Sequence, residues 1–256
     1  MLSRTIRVVT AGLRTPAWEP PRAPPNHTDR AAEVSAGLRA PLRLVEAGRG
    51  PRPHDPPRFA AQPRADWWAE LPELTSRAVT LRALRHTDAG ALVSTLGSPA
   101  VEKYISAGPA TLAEARDFVD WANRSRQMGR YICFGVVPNG RTEVAGLFQL
   151  WPLERSFRTA EWGFALDHPF WGTGLFIESA RLVADYAFEA LGAARIEGRS
   201  ATENHRGNAA LRKLGAEPEG VLRRCLECSG GVVRDHMLWS LLDDDWRRVR
   251  PTLSDQ

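Results

Sequence analysis

Two features of the chain are equipped to do chemistry. The first is Trp171-Gly172-Thr173-Gly174-Leu175, where two glycines one residue apart precede a helix. Residues without side chains let a ligand approach the main chain, and the first N–H groups of the helix behind them lack internal partners. Such a place favours an anion. A P-loop would close on Gly-Lys-Ser/Thr, but Gly174 is followed by Leu175-Phe176. A dinucleotide fingerprint would need a third glycine where Ile177 stands. Successive N–H groups from Gly172 to Phe176 could cradle a diphosphate without a lysine; a plain tight turn is the alternative. The second feature is a pair of strand carboxylates. Glu161 lies between Ala160 and Trp162, and a half-buried carboxylate beside apolar groups has a raised pKa that suits a base near neutral pH. Glu197 in "ARIEGR" is the second candidate, facing away from Ile196 by strand alternation. A solvated strand glutamate is the alternative for each.

The elements that must hold these groups are legible from pattern. "AVTLRAL" (78–84) alternates as a strand. "HTDAGALVSTLG" reads as a helix with Thr87 as N-cap, and 111–130 as a longer one in which Thr111 and Glu114 form a capping box. Its apolar stripe is Leu112, Ala115, Phe118, Val119 and Ala122. Strands are expected at 130–137, 142–151 and 159–167, with Pro138-Asn139-Gly140 turning the first two into a hairpin. The helix behind the glycine turn should run to Leu191 and stop at Gly192. A strand (194–200), a helix (203–215) and two strands around Gly230-Gly231 complete the order β-α-α-β-β-β-α-β-α-β-β. That order implies one mixed α/β sheet covered by helices.

The charge sits in one part of the chain. Residues 1–65 hold 11 of the 34 basic residues but only 5 of the 30 acidic ones, leaving 23 basic against 25 acidic in the remainder. The folded part therefore carries no net positive field, and a nucleic-acid reading based on overall charge is misplaced. Residues 1–65 also contain 11 of the 19 prolines. They read as a poorly structured extension, with residues 66–256 forming the folded domain. An inert tail, a basic tethering arm, a transit peptide and a start codon placed too far upstream all fit the extension. No apolar run reaches the roughly 18 residues that span a membrane. Three cysteines make no disulfide framework, and a cytoplasmic location fits.

"AEWGFAL" followed by "HPFWGTG", then "ADYAFEALGAARIEGR", "ENHRGNAALRKLGA", "EGVLR" and the closing "RDHMLWSLL" give the chain a family likeness. Over about residues 76–246 it resembles the GNAT superfamily of acetyl-CoA-dependent N-acetyltransferases, most closely the RimJ/RimL-like branch. The resemblance implies a single domain with a mixed, mostly antiparallel twisted sheet flanked by helices. It implies acetyl-CoA as co-substrate, an amine acceptor (a protein N-terminus or a small molecule), and no metal. The strand matching 160–167 would splay and pair with the pantetheine arm through Phe164, Ala165 and Leu166. The diphosphate would sit on the turn from Trp171 through Gly172, Thr173, Gly174 and Leu175 to Phe176. Asn204 matches the family asparagine on the pantetheine side, and Arg206 could reach a phosphate.

Acyl transfer from a thioester to an amine needs the amine deprotonated and the developing oxyanion stabilised. No covalent enzyme intermediate is required. The sequence departs from the family at Thr173, Phe176, Gly207 and Leu211. Phe176 would either crowd the co-substrate or enter the core. Gly207 and Leu211 remove the usual acids for the leaving thiolate, which leaves water, with Asn208 as a hydrogen-bonding helper. Trp67, Trp68, Tyr104, Trp121 and Trp151 fall on segments that border the acceptor groove in the family. His168 reads as a turn residue, and His205 as either a co-substrate neighbour or a solvent residue. Cys225 and Cys228 would need Cys133 and His236 to complete a zinc site, and residues three apart on a strand face opposite sides. Two other readings stand beside the enzyme: a non-catalytic acyl-CoA-binding module, and partner binding through the basic tail. A monomer and a homodimer are both compatible with the sequence.

Overall fold

The computed structural model describes residues 66–253. The expected extension at 1–65 lies outside the described residues. The chain begins with β1 (Leu74–Thr75) and β2 (Val79–Ala83), followed by α1 (Ala89–Leu96), α2 (Pro99–Glu102) and α3 (Leu112–Gln127). Next come β3 (Ile132–Pro138), β4 (Gly146–Pro152), β5 (Thr159–Leu166), α4 (Leu175–Asp185) and β6 (Arg195–Ala201). α5 (His205–Lys213), β7 (Glu217–Glu227), β8 (Val233–Leu242) and α6 (Asp243–Leu253) complete it. The strands form one sheet in the order β1-β2-β3-β4-β5-β6-β8-β7. Only β5 and β6 are parallel; all other neighbours are antiparallel. A parallel step requires a crossover, and α4 provides it. The mixed, mostly antiparallel α/β architecture is the one expected.

Strands β3 to β5 are covered on both faces, which is why "ICFGVVP" and "GLFQLWP" read as nearly continuous apolar runs. On one face Phe134, Phe148, Leu150 and Trp162 pack against Val183 of α4, Leu211 of α5 and Trp246 of α6. On the other, Leu147, Trp151 and Ala165 pack against Leu92 and Leu96 of α1 and Phe118 and Val119 of α3.

Several local expectations need correction. Thr87 does not cap α1: a short 3₁₀ turn over His86–Asp88 intervenes. There Asp88 accepts from Arg85 N–H at 2.8 Å and binds the Arg82 guanidinium with both oxygens at 2.8 and 2.9 Å. That buried two-pronged pair fixes the entry to α1 more firmly than a hydroxyl cap. Thr111 does cap α3, but Glu114 reaches back to Ala110 N–H rather than completing a box with Thr111. Leu112, expected in the core stripe, is 50% exposed at the first turn. The β3–β4 connection is longer than a tight hairpin, because Asn139 donates to Ser76 O and Arg77 O and so ties the loop to the β1–β2 turn. α4 passes into a wider π turn at Tyr186–Ala190 before Gly192 ends it.

Gly146 lets β4 approach the end of β5: a Cβ there would lie 2.3 Å from Ala165 O. We expect Gly146→Ala to lower stability by about 3 kcal/mol, as overpacking against backbone does. Gly220→Ala, where a Cβ meets nothing within 4 Å, should fall within about 0.5 kcal/mol of wild type. Urea unfolding of both variants checks the contrast.

Candidate active site

The parallel pairing of β5 with β6 is short. It runs from Thr159↔Arg195 to Trp162↔Gly198 and stops. β5 nevertheless stays bonded to β4 as far as Leu166. From Gly163 to Leu166, therefore, β5 has a strand partner on one side only. At the last paired position the Trp162 indole nitrogen lies 2.6 Å from where a Gly198 Cβ would be. Only glycine admits the ring there. Beyond it the strands enclose a cavity of about 610 Å³, with Gly163, Phe164, Ala165 and Leu166 on one wall and Arg199, Ser200 and Ala201 on the other.

The glycine turn lines the same cavity. Gly172 (φ +77°) and Gly174 (φ +87°) occupy the left-handed region, and a Cβ on either would meet nothing within 4 Å. The main chain therefore faces open space at the positive end of α4. Thr173 builds the turn: its hydroxyl donates to Phe170 O at 2.8 Å and accepts from Leu175 N–H at 3.4 Å. Trp171 donates its indole N–H to Leu166 O at 2.7 Å, which ties the turn to the end of β5. The Arg206 guanidinium stacks 4.8 Å over the Trp171 ring and lines the cavity, as do His205 and Lys213.

Glu161 lies on β5 two residues before Gly163, on the opposite sheet face from Trp162 and outside the cavity lining, whereas its partner Arg199 does line the wall. It is 1% exposed. Burial pushes its carboxyl up to about 8; Arg199, 3.1 Å away, opposes the rise, the neighbouring Glu197 adds to it, and the Trp151 indole N–H opposes it. One carboxyl oxygen, Oε1, has no hydrogen-bond partner, and the indole N–H does not close a well-formed bond to it. Glu197 stands directly across on β6 but in a different setting. Arg195 Nε donates to it at 2.9 Å and also binds Glu219, which accepts from Ser240 Oγ at 2.7 Å. Glu197 is one member of an ion-pair network, whereas Glu161 is a buried acid with an oxygen to spare.

The acetyltransferase (GNAT) domain profile matches residues 78–217. The chain belongs to the GNAT acetyltransferase family. It is therefore an acyltransferase of a family that uses acetyl-CoA. It is 28% identical over 161 residues to the uncharacterized N-acetyltransferase YoaA of Bacillus subtilis, covering 62% of this chain and 91% of that protein. Among solved structures, Mycobacterium smegmatis RimJ in complex with CoA-disulfide superposes with a TM-score of 0.62 at 23% identity, covering 71% of this chain and 93% of that one. A GCN5-related N-acetyltransferase from Brucella melitensis gives 0.61 at 24%, covering 72% and 84%. These two likenesses concern the fold.

The remaining GNAT expectations can now be located. Phe176 packs its ring on Phe164 and Phe148, at centroid distances of 4.7 and 5.6 Å, so it is half-buried against the core while still lining the cavity. Asn204 lines the cavity and caps α5, accepting from Gly207 N–H at 3.0 Å. A Cβ at Gly207 would lie 2.6 Å from the Asn204 amide nitrogen, which accounts for glycine at that departure. Asn208 is not brought to the cavity lining. Its amide donates to Ala201 O and accepts from the Trp239 indole, both at 2.9 Å, joining α5 to β6 and β8. Of the five aromatics placed at the acceptor groove, Tyr104 lines the cavity. Trp121 and Trp151 flank Tyr131. Trp67 packs on Phe157, and Trp68 is 41% exposed. Arg126 bonds the carbonyls of both and so holds that segment against the end of α3, away from the cavity. Among the described residues no group of three His, Cys, Asp or Glu is arranged to hold a metal. Sequence reasoning missed Arg199, the partner of Glu161, and Gln149, a fully buried amide in an otherwise apolar strand. A lone polar residue inside "GLFQLWP" was the available signal.

Two outcomes follow from these contacts. Folded Glu161 keeps its proton up to about pH 8, whereas the unfolded chain loses it near the ordinary 4.5. Between those values the unfolded state binds fewer protons, so this group's contribution to stability falls as pH rises and levels off above about 8. Melting curves of wild type and Glu161→Gln should diverge across that window in favour of the variant, on the order of a few kcal/mol at pH 8; parallel curves would mean that Glu161 titrates normally. Asn208→Ala strands the Trp239 N–H and the Ala201 carbonyl, and urea unfolding should show a loss of about 2–3 kcal/mol.

Proposed function

We propose that the protein is an acetyl-CoA-dependent N-acetyltransferase of the RimJ/RimL-like branch. It moves an acetyl group directly to a primary amine, with Glu161 as general base. The observation that carries this reading is the parting of β5 from β6 immediately beyond that buried carboxyl. The residues present fit acetyl-CoA. The one-sided edge of Phe164, Ala165 and Leu166 offers main-chain groups to an extended pantetheine arm. The N–H groups of Gly172, Gly174 and Phe176 suit a diphosphate, those of Thr173 and Leu175 being bonded within the turn. Asn204 and Arg206 line the same cavity, and the related-fold RimJ from M. smegmatis was solved with a CoA derivative.

Bound acetyl-CoA supplies an acyl thioester. The amine nitrogen bonds to the acetyl carbon, the carbon–sulfur bond breaks, and its electron pair leaves on sulfur. The proton shed by the amine goes to Glu161, whose pKa near 8 is matched to that task. The leaving thiolate takes its proton from water: Gly207 has no acid to give, Leu211 is buried in the core and the Asn208 amide is committed to the scaffold. The acceptor is a primary amine on a peptide N-terminus or a small molecule. The site is assembled within one chain, so a monomer and a homodimer serve equally. No described helix is long and apolar enough to cross a membrane. Three free cysteines suit the reducing cytoplasm.

Glu161→Gln should lower CoA release by about 10² or more while calorimetry shows acetyl-CoA bound as by wild type. In wild type, kcat/KM should rise with pH and level off above about 8. Full turnover by the variant would remove Glu161 from the mechanism.

A further inference from the structure

Gln149 is the polar group that the reading above leaves idle. It is 0% exposed, and neither its amide nitrogen nor its amide oxygen has a hydrogen-bond partner. A buried amide without partners costs stability, and such groups call for an explanation. Register places it. On β4, Gln149 lies directly opposite Cys133 of β3 and Gly163 of β5. Cys133 is a buried neutral thiol, its pKa pushed up by burial, and gives the amide no charge to pair with. On the other side, Gly163 has no side chain, and it lines the cavity. A Cβ placed on Gly163 would lie 3.7 Å from Gln149 Oε1 and 3.4 Å from the Trp151 ring. The missing side chain therefore leaves a methyl-sized notch beside Gly163, with the Trp151 ring and Gln149 Oε1 behind it. Glu161 stands next to Gly163 on the same face of β5, about 6.6 Å along the strand. Gln149 Oε1 borders the notch, and the residues around it carry three further buried polar atoms without partners: Gln149 Nε2, Trp151 Nε1 and Glu161 Oε1.

We propose that this notch is the acceptor site, and that Gln149 is a positioning residue for a primary amine carrying an oxygen three bonds from its nitrogen. The inference rests on the acetyltransferase reading above. A primary amine offers two N–H groups and one lone pair. Gln149 Oε1 accepts one N–H and Glu161 receives the proton that must leave, which turns the lone pair toward the cleft. Gln149 Nε2 donates to the acceptor's oxygen. An alkylamine of the same length leaves that donor unpaired inside the protein, and discrimination of this kind by a buried hydrogen-bonding group is strong.

The probes are 2-methoxyethylamine and n-butylamine, which have the same length and differ by oxygen against methylene. CoA release is followed with a thiol reagent in the full-length protein and in Gln149→Met. Wild type should show the lower KM for 2-methoxyethylamine. Gln149→Met should shrink the KM ratio between the two amines by about tenfold, the worth of one hydrogen bond to a buried group. Comparing ratios cancels the amines' different basicities. KM for acetyl-CoA should stay within about twofold, and the melting temperature should hold or rise, because the variant removes an unpaired buried amide. A merely structural Gln149 would instead lower the melting temperature and leave the amine ratio alone. Should Gln149→Met fail to fold, Gly163→Ala asks the same question: its methyl fills the notch at ordinary contact distance and should raise KM for both amines. An unchanged ratio in a variant that turns over, or no transfer to either amine by wild type that binds acetyl-CoA, overturns the inference alone. Failure to bind acetyl-CoA overturns the acetyltransferase reading, and the inference with it.

Discussion

The site depends on the β5–β6 pairing ending at Trp162 and Gly198. Parallel strands side by side would satisfy each other's main chain from end to end. Here the ring of one strand occupies the space over the other's glycine, with 2.6 Å from the indole nitrogen to a hypothetical Cβ. Pairing ends at that position. β5 is held straight by β4 and β6 by β8, so neither can follow the other across the gap. The result is an interior edge of main chain between two strands that are each paired on their other side. Such an edge invites an extended ligand, and the cavity, the glycine turn and the carboxylate are arranged along it.

Burial acts here as a chemical device. Glu161 and Glu197 stand opposite each other on adjacent strands and share a residue type. Arg195 holds Glu197 in a network with Glu219 and Ser240, which makes it a structural ion. Glu161 faces a half-buried arginine and an indole from inside the protein, and desolvation dominates its titration. Two equal groups in different surroundings thus take different roles. Glu161 and Gln149 leave polar atoms buried without partners, which costs stability.

The departures from the family pattern are explained by packing. Phe176 packs on Phe148 and Phe164 against the core, so a bulky ring at the start of α4 does not close the turn above it. Gly207 makes room for the Asn204 amide that caps α5. Thr173 spends its hydroxyl on the turn itself, bonding Phe170 and Leu175.

Much was legible in the residues alone. Period and punctuation located β2 to β8, α1, α3, α4, α5 and the glycine turn but not α2 or α6, because hydrophobic spacing and positive-φ glycines are local properties. Glu161 was legible as a carboxylate among apolar neighbours in its own strand. What local pattern does not carry is which groups meet across strands. Thr87 lost its role to a buried Arg82–Asp88 pair six residues apart, and Trp67 and Trp68 were drawn to Arg126, some sixty residues away. Asn208 was drawn to Trp239, which only β8 brings near. The same is true of Arg199 beside Glu161 and of Gln149 opposite Gly163. The sequence by itself determined the elements and the anion-friendly turn, since these follow from neighbours along the chain. Tertiary structure alone decided which carboxylate is desolvated and where the sheet parts, because burial and register are properties of strands meeting from distant places.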